Sequence, residues 1–291
     1  MIVKCHRALM TKNLKIGSGV ASRSVLIALT KEFPKMVIGI TEQQLTENKD
    51  AMNYPIAEKV CSEGVTDKLT RPEELATKIY LLLNRHIIKA YIDNCTSPSE
   101  KLFSAWYLAF FCRLWKEFLK IAPQYDKPDT MKTSIQNNFI SSNLHGCIEI
   151  NGHNILLFHN KCRDMKKPEL FLPSLAGSQP CESAFRTLRS MSTTRSTVIN
   201  FDVMEILQKS KRLRVLDTIK ATTEDFVFTT KTEKEFLVPK LLLTDEQINE
   251  VVKSGFIKAK DGFAEFRKFL VIFRQEKTKD CSKQNSSLLF N

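Results

Sequence analysis

The chain has 291 residues, 43% of them hydrophobic and 26% charged, enough for a sizeable core in one large or two medium domains. No run approaches the roughly 18 to 20 uninterrupted apolar residues of a membrane span, and MIVKCHRALMTKNLK lacks the features of a secretory leader, so an intracellular protein without a membrane anchor is expected. The net charge of +12, from 44 Lys and Arg against 32 Asp and Glu, favours an anionic partner, nucleic acid above all, because each neutralised phosphate releases counterions.

The cysteines at 5, 61, 95, 112, 147, 162, 181 and 281 are scattered, several within apolar helical patterns, and read as reduced thiols rather than a disulfide framework. Early in the chain, KIGSGVASRS holds Gly17 and Gly19 as a G-x-G without the further glycine or Lys-Ser pair of a phosphate loop. A turn before a helix starting near Ser22 or Ser24 accounts for it. From Pro72 to Tyr91, apolar residues at 75, 79, 82, 83, 87 and 91 predict a helix with one buried face.

After the TSPSE break, Ser97 or Ser99 is placed to cap a second helix. That helix carries Phe103, Trp106, Tyr107, Phe110, Phe111, Leu114, Trp115 and Phe118 at helical intervals, a stripe that reads as the centre of a helical core. A base-stacking surface is the functional alternative. A third amphipathic helix is expected through NNFISSNLHGCIEINGHNILLFHNKCRD. Its His145, Cys147, His153, His159 and Cys162 invite a zinc reading, but the spacing fits no common finger, and one helix aims these side chains in several directions.

The joint KKPELFLPSLAGSQP leads into CESAFRTLRS, where Pro180 suits a first helical position and Glu182 falls in the first turn. Glu182 is then either an acid complementing the helix dipole and pairing with Arg186, or part of a metal site. The next helix, NFDVMEILQKSKRLRVLDTI, has a basic end in Lys209, Lys211, Arg212 and Arg214, either cations matched to a helix C-terminus, or a phosphate-contacting surface or nuclear address. Beyond Ile219 the texture turns Thr-rich and charged, LTDEQINEVVKSGFIKAK predicts a short helical module with Thr244 and Gln247 spaced as a capping box, and the tail from Thr278 reads as disordered.

FLPSLAGSQPCESAFRTLRSMSTTRSTVINFDVMEILQKSKRLRVL resembles the C-terminal RNase H-like block of P-element-type transposases. VIGITEQQLTENKDAMNYPIAEKVCSEGVTDKL, the helix around Trp106 and Trp115, and NNFISSNLHGCIEINGHNIL resemble the helical insertion domain of the same proteins. CESAFRTLRSM and CIEINGHN are the most specific parts of the likeness, which spans most of residues 1 to 270.

The resemblance implies a mainly α chain, a helical insertion domain joined to a partial RNase H-like α/β domain. Residues 1–38 would be a remnant of the first RNase H-like half, 39–170 the insertion, and 171–220 the returning half with its Glu-bearing helix. Residues 221–277 would form a C-terminal helical extension and 278–291 the disordered tail. It further implies a nuclear protein and DNA contact, with Arg186, Arg189, Lys209, Lys211, Arg212 and Arg214 as candidate nucleic-acid residues. Guanine nucleotide is implied by resemblance alone.

In the family, two aspartates and a glutamate hold two Mg²⁺ ions for DNA cleavage and strand transfer, and Glu182 matches the glutamate. Residues 1 to 31 contain no Asp or Glu, and both aspartates are expected upstream of Met1. One carboxylate does not hold two Mg²⁺ ions, so a catalytically inactive, transposon-derived chain with residual nucleic-acid binding is the leading expectation. Its rivals are a part of an active metal-dependent transposase and a domesticated helical interaction protein.

Overall fold

The structure is a computed structural model that describes residues 1–46, 53–121, 135–177, 184–185, 187–188, 203–222 and 237–264, the side chains at 216, 217 and 220–222 excepted. Among these residues the fold is mainly helical, with one two-stranded sheet. No described helix is long and apolar enough to cross a membrane.

The chain opens with α1 (Ile2–Thr11), followed by an antiparallel hairpin of β1 (Leu14–Ile16) and β2 (Gly19–Ala21) in the register Leu14↔Ala21, Lys15↔Val20, Ile16↔Gly19. Gly17 sits at φ 60° in the two-residue turn, a left-handed conformation that glycine adopts at no steric cost. Leu14, Ile16 and Ala21 are fully buried while Val20 is exposed, the alternation of a strand with one face on the core. Gly17 and Gly19 therefore serve a hairpin. Gly19 has a second reason to be glycine, since a Cβ there would lie 2.8 Å from the Ala76 Cβ.

Four short helices connect the hairpin to the main layer: α3 (Lys35–Ile38), α4 (Glu42–Thr46), α5 (Tyr54–Val60) and α6 (Glu63–Thr66), after the longer α2 (Arg23–Glu32). Ser22 stands at the N-cap of α2, but its hydroxyl meets Ser24 and its N–H donates to Thr77 Oγ1, so the residue ties the helix start to the neighbouring layer.

The main layer is α7 (Leu75–Tyr91), α8 (Pro98–Ile121) and α10 (Ser142–Asp164), with α9 (Ile135–Asn138) leading into the last. A 3₁₀ turn, Pro72–Glu74, starts α7 where the apolar periodicity places a helix. Its buried face differs in phase from that pattern. Ala76, Tyr80, Leu83, Ile87 and Ala90 are buried, whereas Leu82 is 38% exposed. The reason is that α7 packs on both the hairpin and α8, so small and polar residues facing those neighbours, Ala76 and Thr77 among them, are as covered as the leucines.

At the head of α8, Ser97 is the cap: its Oγ accepts from the Glu100 N–H and its own N–H donates to Glu100 Oε2, a reciprocal capping box. The aromatic stripe is core, with Trp106, Phe111 and Trp115 buried and Phe103, Tyr107, Phe110 and Phe118 half-buried. The expected helix through NNFISSN is broken. Phe139 and Ile140 are buried between α9 and α10, and Ser141 restarts the helix by accepting from the Leu144 N–H. Two adjacent apolar residues seated in the core outweigh helix continuity there.

Residues 245–264 form a C-terminal helix opened by the expected capping box, Thr244 Oγ1 accepting from the Gln247 N–H and Gln247 Oε1 from the Thr244 N–H. It lies across α8. A Cβ on Gly255 would come within 3.4 Å of the Tyr107 backbone nitrogen, Phe256 meets Phe110 edge-on, and Phe263 meets Phe111 and Phe118. One continuous cluster of buried residues runs from Ile2 through Ile148 to Ala259, so residues on both sides of position 38 and the C-terminal helix share a core.

Candidate nucleic-acid interface

The basic residues of QKSKRLRV lie on a 20-residue helix, Val203–Thr222. That helix continues eight residues beyond Arg214, so Lys209, Lys211, Arg212 and Arg214 occupy its middle. Cations matched to the dipole belong in the last turn, which makes the dipole account of this cluster a poor one. With about 100° between successive residues, Lys211 and Arg214 project from one side with Met204, Leu207 and Thr218, and Arg212 lies beside them. Lys209 falls on the opposite side with Ile206, Ser210 and Leu213, all half-buried.

The four cations thus circle the helix. Lys211, Arg212 and Arg214 are exposed, and they stand among exposed apolar side chains, Met204 at 62%, Leu207 at 56% and Val215 at 58%. The hydroxyls of this stretch are used internally, Ser210 Oγ donating to the Leu207 carbonyl and Thr218 Oγ1 to the Arg214 carbonyl. What the surface offers a partner is a set of guanidinium and ammonium donors that match phosphate oxygens, with aliphatic surface between them.

Glu182, Arg186 and Arg189 lie outside the described residues. Nearby, positions 184–185 and 187–188 are helical, in keeping with a helix after Pro180, and Leu188 is buried while Phe185 is 46% exposed.

The His and Cys residues of α10 go to separate environments. His145 lies tilted against Phe139 and is 3.7 Å from Glu149, whose carboxylate is held by the Arg113 guanidinium from α8. His153 meets the edge of Trp106. His159 is fully buried and accepts a hydrogen bond from the Leu243 N–H. Cys147 reaches Asn143 Oδ1, and Cys162 is buried in an apolar cluster with Ala90, Leu102, Ile155 and Phe171, separate from the main core. Among the described residues no three His, Cys, Asp or Glu come together to hold a metal.

The buried thiols are chemically quiet. Cys5 and Cys61 are free, and burial pushes each up to about 12, while burial also raises Cys112. All three therefore remain protonated at neutral pH, poor nucleophiles and poor metal ligands.

Two long-range contacts within the chain had no signal in the pattern of residue types. Arg113 and Glu149 join α8 to α10 by a bidentate ion pair, and His159 with Arg163 grips the backbone of Leu243. The i,i+4 spacing of His159 and Arg163 puts them on one face, which is the part that was readable. No protein-family model, no curated protein and no solved structure matches this chain.

Proposed function

We propose that this chain is the insertion domain and glutamate-bearing part of a P-element-type transposase-like protein, acting as a nucleic-acid-binding unit without DNA-cleaving chemistry of its own. The observation that carries it is the helix Val203–Thr222, which exposes Lys211, Arg212 and Arg214 on a protein of net charge +12. A predominantly helical architecture is compatible with the insertion-domain part of the reading. The RNase H-like part, including the place of Glu182 in it, rests on the sequence resemblance, as does a nuclear location.

A two-ion Mg²⁺ centre needs three converging carboxylates, and the resemblance assigns one, Glu182. The residues assigned do not fit that centre, and the proposed function does not pass through a metal. Guanine nucleotide is likewise left to the resemblance, since Gly17 and Gly19 belong to a hairpin turned against α7.

Binding to a labelled DNA duplex across a salt series tests the proposal. Affinity is expected to fall steeply with salt, and neutralising Lys209, Lys211, Arg212 and Arg214 to Gln is expected to flatten the slope by about one unit for each phosphate no longer neutralised. Absence of binding at low salt, or an unchanged slope in the variant, would sink it. If the chain cleaves DNA with Mg²⁺ and Glu182→Ala abolishes the cleavage, the claim that it lacks chemistry is wrong.

One observation favours a second reading, a helical interaction protein. Exposed Met204, Leu207 and Val215 interleave with the cations, a composition suited to an amphipathic protein partner as well as to a phosphate backbone. Stoichiometric binding to a protein together with failure to bind duplex at low salt would move the assignment to that reading.

A further inference from the structure

The C-terminal helix is held to the rest of the fold by an unusual grip. Leu243, just before the helix, has both of its backbone polar groups taken by side chains of α10 one turn apart: its N–H donates to His159 Nε2 at 3.1 Å, and its carbonyl accepts from Arg163 Nη1 at 3.0 Å. Arg163 Nη2 continues to Asp245 at 2.7 Å. Leu242 and Ile248 on either side are buried in a cluster with Ala90, Leu102, Ile155 and Phe171.

Only one protonation state of His159 makes this contact. An imidazole nitrogen that accepts from a backbone N–H carries no proton, so Nε2 is bare and the ring proton sits on Nδ1, where Asn160 Oδ1 lies at 3.3 Å to take it. The ring is fully buried, with Phe171 edge-on at 5.3 Å. The charged groups facing it are Arg163 on its own helix and Asp245 on the docked segment. From the segment following α10, Glu169 acts on the neighbouring Cys162.

We infer that His159 is an acid-sensitive latch: when it takes a second proton, two N–H groups face each other, the grip on Leu243 is lost, and residues 243–264 loosen from α8 and α10. Release would uncover the α8 rings that this helix covers, Phe110 under Phe256, and Phe111 and Phe118 under Phe263. Burial lowers the His159 pKa, and Arg163 adds to the lowering while Asn160 and Asp245 oppose it. The neutral ring is therefore the resting form at neutral pH. A histidine lowered in the docked state binds its proton more readily when released, so docking is strongest above the ordinary imidazole range and weakens as pH falls through it. The inference is independent of nucleic-acid binding.

Hydrogen exchange on the full chain, corrected for the pH dependence of intrinsic exchange, tests it. Protection of amides in 244–264 is expected to fall between pH 7.5 and pH 5 by at most about tenfold per pH unit, the limit for one linked proton. His159→Gln supplies an acceptor in place of Nε2 that does not titrate, and its protection in the same peptides is expected to fall less steeply with pH. Equal pH dependence in the two proteins overturns the latch. Imidazole ¹⁵N shifts of the unsubstituted chain decide the matter even if the variant folds poorly. The expected result is an Nδ1–H tautomer whose titration midpoint coincides with the loss of protection; a ring that titrates while protection holds overturns it.

Discussion

Trp115 on α8 donates its indole N–H to the backbone carbonyl of Lys15 at 2.7 Å, across 100 residues of chain. The ring itself is 1% exposed and meets Tyr80 and Phe139 edge-on. One side chain thus fills the centre of the core and hydrogen-bonds a strand carbonyl far away in sequence. Trp115→Phe keeps much of the bulk but removes that hydrogen bond, at an expected cost of about 0.5 to 1.5 kcal/mol. Trp115→Ala adds a cavity and should cost about 3 to 5 kcal/mol. Urea unfolding of the two variants ranks them; equal losses would mean that the hydrogen bond contributes nothing.

Gly19 of the hairpin packs directly against Ala76 of α7. Because a Cβ at 19 would sit 2.8 Å from the Ala76 Cβ, which has no far end to swing away, Gly19→Ala forces backbone to move. The expected loss is about 1 to 3 kcal/mol, the usual range for overpacking. Ala76→Gly opens the space at a helix-propensity cost of about 1 kcal/mol. The double variant should therefore lose less than the sum of the singles, and strict additivity would refute direct contact as the cause.

Gly255 permits the C-terminal helix to approach the α8 backbone at Tyr107. Gly255→Leu should push the helix off α8 while leaving α7 and the hairpin in place. Hydrogen exchange is the measurement. Protection should fall in 245–264 and persist in α7, and uniform loss would show that this helix is integral to the whole core rather than laid upon it.

Acid should destabilise the protein well above the carboxylate range. Burial lowers His86 to about 4, and lowers His6, His145 and His159 as well. For each, the unfolded chain takes up the proton first, so the stability is present above the ordinary imidazole value and is lost as pH falls. For His86 the loss develops between 6.5 and about 4. Burial opposes but hydrogen bonds overcome it in Asp93, and the Arg113 pairing lowers Glu149, so these acids add losses of the same sign only further into acid. Urea midpoints measured from pH 7.5 to pH 5 should decline, and His86→Gln should decline less; identical slopes would remove His86 from the account.

Much of the helical layout was legible in the residues. The starts at Ser97 and Thr244 were readable because a capping box closes within four residues. The aromatic row on α8 was readable as core because helical spacing alone gathers its rings on a broad face. The basic cluster was readable as a string, but its distribution depends on helix phase and on where the helix ends. Thr222 rather than Arg214 lies at the end, so the cations circle the middle of a helix. The break at Phe139 and Ile140 was not readable, because only a core ready to receive both side chains makes it worth interrupting a helix.

By itself, then, the sequence determined what neighbours three or four residues apart can settle: a mainly helical chain, its caps, its turn glycine at 17, its apolar faces and its excess of positive charge. Tertiary structure alone decided which face of α7 is inside, that the C-terminal helix covers α8, and that His159 and Arg163 hold Leu243. Local hydrogen bonds and periodicity are written in adjacent residues. Partners 80 or more positions apart, such as Arg163 and Leu243, meet only when the burial of the whole core brings them together.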